Sequence, residues 1–241
     1  MPDERIADPG ARGSTSAGRG SVDGRHLLLV GAGPGLGTAV ARRFAAGGYR
    51  VTLVARGASR LGELAGALAE TGAEINTIAA DAGDPDGLGA RMRELYLGDG
   101  APGVIIYNAV MGAPDRLLES SVAHLQAAYA VDVIGAVVVA QAAAPALRAA
   151  RFGTILVTGG GFADHPIPAL ATVSLGKAAL RSAATMLGAD LKPDGIRVAT
   201  LTVAGQIVAG TPFDPQRIAE RYWELVHLDG PWQAEFRFTG E

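Results

Sequence analysis

The chain has 241 residues, 49% of them hydrophobic and 19% charged, with a formal net charge of −3. That is the make-up of a globular protein with a sizeable core, and its charge offers no broad cationic surface for nucleic acid or lipid headgroups. The absence of cysteine excludes disulfides, thiolate catalysis and cysteine-bound metal, and His26, His124, His165 and His227 are not at metal-ligand spacing.

Residues 1–25 are rich in Gly, Ser, Asp and Arg and hold no apolar run. They read as a disordered tail, not a secretory or transit segment. A single domain is expected over 26–241. Short apolar runs predict strands at 26–30, 50–55, 75–79, 103–107, 153–158 and 196–202, with a last one at 235–239. Helical patterns fill 35–47, 59–71, 86–97, 121–150, 170–190 and 215–227. This alternation predicts an α/β fold, a doubly wound Rossmann-type parallel sheet of about seven strands with helices on both faces. The most apolar stretch, 131–147, contains Asp132, Gln141 and Pro145 and is short for a membrane span. A cytoplasmic protein without membrane or nucleic-acid partners is expected.

The first strand runs into Gly31-Ala32-Gly33-Pro34-Gly35-Leu36-Gly37 and then a helix. Glycines there permit a tight turn and close approach of backbone to a pyrophosphate, and the helix start adds free N–H groups. The strand–turn–helix context makes this a dinucleotide site. NAD binders commonly place an acid at the end of the second strand. This chain has Arg56, with Arg60 a turn later. A cation can pair with the 2′-phosphate of NADP, so NADP is expected ahead of NAD.

With those residues in place, the sequence from His26 to Ala209 resembles the short-chain dehydrogenase/reductase family. The spacing of Gly31, Gly35 and Gly37 is that family's. The resemblance implies that Asp81-Ala82 meets the adenine, and Asn108-Ala109 matches an Asn-Ala-Gly motif. It further implies that Lys177 is the catalytic lysine and that Ile207, in Ala204-Gly205-Gln206-Ile207, lies by the nicotinamide. The family's Tyr-x-x-x-Lys is here Val173 to Lys177, its serine position falls on Gly160, its asparagine position on Asp132, and the third residue of Asn-Ala-Gly is Val110. Valine cannot donate a proton and glycine cannot hold a carbonyl oxygen by a side chain. The glycines 159–161 are expected to leave open space at the serine's place.

Lys177 also carries, by resemblance, a hydrogen bond to the nicotinamide ribose. Asp132 either pairs with Lys177, which would keep it ionised, or is satisfied by local polar groups. His165 titrates near neutrality and is a candidate replacement acid, with a solvated loop residue as the other reading. Ser174 reaches either a substrate or its own helix backbone. Tyr107 faces one side of the sheet or the other. The segment 210–234, with Phe213, Tyr222, Trp223 and Trp232, replaces the family's substrate lid, and its aromatics line a pocket or fasten a helix. The small-residue helices 131–147 and 176–189 predict a homodimer or homotetramer. The expected function is an NADP-dependent oxidoreductase acting on a small-molecule carbonyl or alcohol with an atypical active site. Its alternatives are a non-redox cyclisation, isomerisation or elimination, or NADP binding without catalysis.

Overall fold

The computed structural model describes residues 22–241. Seven strands form one parallel sheet: β1 (Val22–Val30), β2 (Arg50–Ala55), β3 (Ile75–Ala79), β4 (Ala101–Tyr107), β5 (Thr154–Gly160), β6 (Arg197–Val203) and β7 (Glu235–Phe238). Their order is β3-β2-β1-β4-β5-β6-β7. The chain winds outward from β1 in one direction, returns at β4 and winds outward in the other. The cleft between β1 and β4, at the carboxyl ends of the strands, is where this topology places ligands.

The connections are α1 (Leu36–Ala46), α2 (Ala58–Leu68), α3 (Pro85–Asp99), α4 (Val122–Tyr129), α5 (Gly135–Ala150), α6 (Ala171–Leu191) and α7 (Pro215–Val226). Side chains alternate across the sheet. Leu27 and Leu29 of β1 join Phe44 of α1 and Tyr222 of α7 in one core. Leu28 and Val30 face the other way, onto Met92 of α3, Ala140 of α5 and Leu180 of α6. Leu27, Leu28 and Leu29 are fully buried, and each such side chain contributes about 1.5–3 kcal/mol. Both faces of β1 are therefore apolar, which is why it reads as a continuous run.

Several boundaries differ from expectation. β1 begins at Val22, so 22–25 belong to the sheet; the rest of the expected tail, 1–21, lies outside the described residues. An irregular register between Asp23 and Leu27 separates this extension from the apolar half. The expected helix 121–150 is continuous but not uniform: a π-turn at Ala130–Ile134 separates α4 from α5. Together they make a helix of 29 residues, long and apolar enough to cross a bilayer by length and composition. Here it packs beside α3 and α6 and buries Asp132. β5 runs on to Gly160, so Gly159 and Gly160 are strand residues paired with Thr202 and Val203.

Candidate active site

The turn after β1 is shaped by its glycines. Gly31 has φ +90°, and a Cβ there would lie 2.4 Å from the Ala109 nitrogen. A Cβ on Gly37 would lie 2.7 Å from the Gly31 carbonyl oxygen. These two positions need glycine for packing. Gly33 and Gly35 differ: a Cβ on either would meet nothing within 4 Å, and Gly35 holds φ +83°. They face open space at the start of α1, which has no side-chain cap and no acid in its first turn. The α3 start, by contrast, is capped by Asp84 and the α7 start by Asp214. The α1 amides thus form a cradle open to an anion, and the residues present fit a dinucleotide pyrophosphate.

The walls of this cleft come from β2, β3 and β4. Arg56 and Arg60 are exposed just beyond β2, and among the described residues neither forms an ion pair. Asp81 is exposed after β3, its Oδ1 accepting the Gly83 N–H at 2.9 Å, with Ala82 half-buried beside it. Asn108 is a fastener. Its N–H donates to the Val30 carbonyl at 2.7 Å and its Nδ2 to the Gly31 carbonyl at 3.0 Å, locking the end of β4 to the glycine turn. Ile207, after β6, is 37% exposed and so available to a ligand.

The far side of the cleft is α6. Lys177 is buried and donates to the Thr158 carbonyl at 2.6 Å. Burial lowers its ammonium pKa to about 8, against the opposing pull of Asp132. Val173 stands one turn earlier and is buried. A Cβ on Gly160 would find the Lys177 stem at 3.6–3.8 Å as its nearest neighbour, ordinary contact. Gly159 is closed instead: a Cβ would lie 2.4 Å from Thr200 Cγ2. Of the three glycines expected to leave open space, Gly160 and Gly161 have room for a methyl in ordinary contact and Gly159 has none.

Asp132 sits in the π-turn, and its Oδ1 accepts the Met111 N–H at 2.7 Å. Oδ2 is buried and has no hydrogen-bond partner. Of the two readings of Asp132, the direct pair with Lys177 is not formed, the ammonium turning to Thr158, and local satisfaction is met at one carboxyl oxygen only. Nor is the carboxyl held low: burial pushes it up, with the Met111 N–H and Lys177 opposing. His165 is exposed and joins neither residue; its backbone N–H caps onto the Gly161 carbonyl. Asp164 beside it is tied to Arg181 and Arg237, which hold it down at about 2. Ser174 donates to the Leu170 carbonyl and accepts the Ile167 N–H, so it serves its own helix and the preceding loop. Tyr107 points to the α5 side, donating to the Val131 carbonyl within the core.

Two polar junctions, at Thr158 and at Asp115, were not legible in the sequence. Thr158 Oγ1 donates to Asn108 Oδ1 at 2.9 Å and lies 2.7 Å from the Tyr222 hydroxyl of α7. Tyr222 belongs to the segment read as a lid, and it is fully buried. Trp223 likewise packs on Phe44 and under Arg43, and Trp232 on Phe236. These aromatics fasten α7 and β7 to the core. Asp115 accepts from the Thr172 backbone and hydroxyl and contacts His124 at 3.0 Å, pinning the loop after β4 to the start of α6. No cluster of metal-ligating side chains occurs among the described residues.

The chain matches the short chain dehydrogenase family over residues 25–216. It belongs to that family. Similar curated proteins include a very-long-chain 3-oxoacyl-CoA reductase of Podospora anserina, 31% identical over 73% of this chain and 53% of its own length. Another is a 3-dehydrosphinganine reductase of Arabidopsis thaliana, 30% identical over 54% of this chain and 39% of its own. The chain thus spans about half the length of the first of these. Among solved structures, a metagenomic short-chain oxidoreductase in complex with NADP superposes with a TM-score of 0.81 at 24% identity, covering 90% of this chain and 98% of that one. An alcohol dehydrogenase from Thermococcus sibiricus complexed with 5-hydroxy-NADP gives 0.79 at 25% identity, covering 88% and 95%. These likenesses match the seven-stranded parallel sheet and its helical layers.

Proposed function

We propose that the chain is an NADPH-dependent reductase of an apolar carbonyl compound, with an active site altered from the family pattern. The observation that carries the cofactor assignment is the open cradle of Gly33 and Gly35 at the bare start of α1, with Arg56 and Arg60 free at the end of β2. Backbone amides of Gly35, Leu36 and Gly37 at the start of α1 hold the pyrophosphate, and the arginines hold the 2′-phosphate. Asp81 and Ala82 border the adenine, Asn108 and Ala109 shape the cleft floor, and Lys177 and Ile207 flank the ribose and nicotinamide. When bound, the reduced nicotinamide supplies hydride. The apolar substrate is supported by Val110, Ile167, Ile207 and Val208, all exposed on loops at the strand ends. Relatives named for 3-oxoacyl-CoA and dehydrosphinganine reduction support the same class.

The altered site rests on Val173 and Gly160, which bring neither a phenol nor a hydroxyl to Lys177. The same pair supports a second reading, non-redox chemistry or NADP binding without catalysis. Calorimetry separates the cofactor claim: NADPH binds tighter than NADH, and Arg56→Ala weakens NADPH roughly ten- to a hundredfold with little effect on NADH, one charge-assisted bond being worth about 1.5–3 kcal/mol. Equal affinities in wild type and variant would refute it. NADPH oxidation and product mass, followed together on long-chain ketones, test the reaction. Product formed without NADPH consumption would favour the second reading.

A further inference from the structure

Carbonyl reduction needs a proton as well as a hydride, and Val173 offers none. We propose that Lys177 delivers that proton to the substrate oxygen and that the buried Asp132 carboxylate favours its charged form, a step that rests on the reductase reading above.

The chain's 21 cationic residues include two lysines, Lys177 and Lys192; the rest are arginines. Arginine does not release its proton in proteins, whereas a desolvated lysine does. Lys192 is exposed and Lys177 buried. The Lys177 ammonium has three donors, and the Thr158 carbonyl takes one. Gly160 leaves room for no more than a methyl in ordinary contact beside the Lys177 stem, and Val173, one turn earlier on the helix, brings no hydroxyl. Behind it, Asp132 carries a buried Oδ2 without a partner, while Oδ1 is fixed by the Met111 N–H. Gly176, next to Lys177, makes room for this carboxyl: a Cβ there would lie 2.6 Å from Oδ2. An unpartnered buried oxygen is a standing cost to the fold. Here it lies against the helix turn that holds the chain's one buried lysine.

The charges around the pair are few. Asp132 is the charged group acting on Lys177, and Asp115 acts on Asp132. The Tyr107 hydroxyl reaches the π-turn through the Val131 carbonyl, and Arg181, a turn further along α6, is committed to Asp164. Burial leaves Lys177 with a pKa of about 8, a competent acid near neutrality. With reduced nicotinamide as hydride source, the carbonyl π pair moves onto oxygen as a C–H bond forms. An N–H bond of Lys177 breaks as the O–H bond forms, leaving a neutral amine. The amine regains its proton from solvent, and the Asp132 carboxylate charge favours its return to the ammonium form. One NADPH and one proton are consumed per alcohol and NADP formed.

Lysine labelled with 13C at Cε gives two resonances, assigned by Lys192→Arg. In the ligand-free protein Lys177 should titrate near pH 8, and Asp132→Asn should move it lower, because the carboxylate charge that favours the ammonium is gone. The amide oxygen of asparagine keeps the Met111 contact, so the fold is retained. In turnover with NADPH and long-chain ketones, kcat/KM should fall above about pH 8, and the fall should begin at lower pH in Asp132→Asn. Lys177→Arg should lose roughly a hundredfold or more. A Lys177 that titrates near the ordinary lysine value of about 10.4, or an alkaline limb unmoved by Asp132→Asn, overturns the lysine donor and leaves the reductase reading standing. A low-titrating Lys177 with no NADPH consumption on any ketone overturns the reductase reading and the proton step with it.

Discussion

Acidification from pH 7 to 4 should weaken the fold through His26. This residue is fully buried in β1, at the end of the sheet away from the cleft. Its register partner is Arg50 of β2. Arg50 Nη2 donates to His26 Nδ1 at 3.1 Å, so Nδ1 carries no proton, and Nε2 lies 2.8 Å from the Thr52 hydroxyl. The ring must therefore be neutral. Burial, then the Arg50 charge, lower its pKa from 6.5 to about 4, with Asp23 opposing. The unfolded chain takes up a proton as pH falls through 6.5, while the folded chain resists until about 4. The stability is fully present above 6.5 and is lost across that window. At about 1.4 kcal/mol per pH unit the loss is roughly 3 kcal/mol, a large fraction of a typical total of about 5–15 kcal/mol. Urea unfolding between pH 7.5 and 4 measures it, with His26→Asn as reference, since the carboxylates shared by both proteins cancel in the difference. Parallel pH dependences in the two proteins would refute the reasoning.

The two strand glycines should respond oppositely to alanine. Gly159→Ala collides with Thr200 and Thr202 and should cost about 1–3 kcal/mol in thermal or urea unfolding, while Gly160→Ala meets only the Lys177 stem and should cost well under that. Equal losses would show that the strand end adjusts. A homodimer or homotetramer is expected through the helices 131–147 and 176–189; beside them Tyr129 and Leu175 line an exposed groove of about 500 Å³, and Met186 is exposed further along α6. Light scattering should give a dimer or tetramer for the wild type and a monomer for Leu175→Glu, and a monomeric wild type at micromolar concentration would end that reading. Val173→Tyr with Gly160→Ser restores the family's phenol and hydroxyl. If Lys177 is already the acid, the pair should not raise NADPH-coupled turnover, and a tenfold gain would count against it.

The fold was legible because its signals are local. A strand covered on both faces shows as an unbroken apolar run, as β1, β4 and β5 do, and the glycine turn is written between such a run and a helix. The π-turn was not legible, since 121–150 is one apolar stretch and nothing in its spacing marks an extra residue at Asp132. The contrast between Gly159 and Gly160 was hidden for a different reason. Neighbouring strand residues point to opposite faces, and which face meets Thr200 depends on the pairing with β6. The tie of Thr158 to Tyr222 and that of Asp115 to Thr172 join residues far apart in sequence through polar atoms that periodicity does not register. Lys177 and Asp132 were found as positions, but their separation, with the amine on Thr158 and the acid on Met111, is a matter of side-chain direction.

Thr158 ties the two helical layers together across the end of β5. Its hydroxyl touches α7 on one side of the sheet, and its carbonyl holds Lys177 of α6 on the other. The segment 210–234 includes α7, so exchanging it disturbs this tie. A graft that shifts α7 or loses Tyr222 would release the Thr158 hydroxyl, and the strand end that anchors the lysine would drift with it. An exchange of this segment should therefore carry Tyr222 along with the loop it is meant to replace.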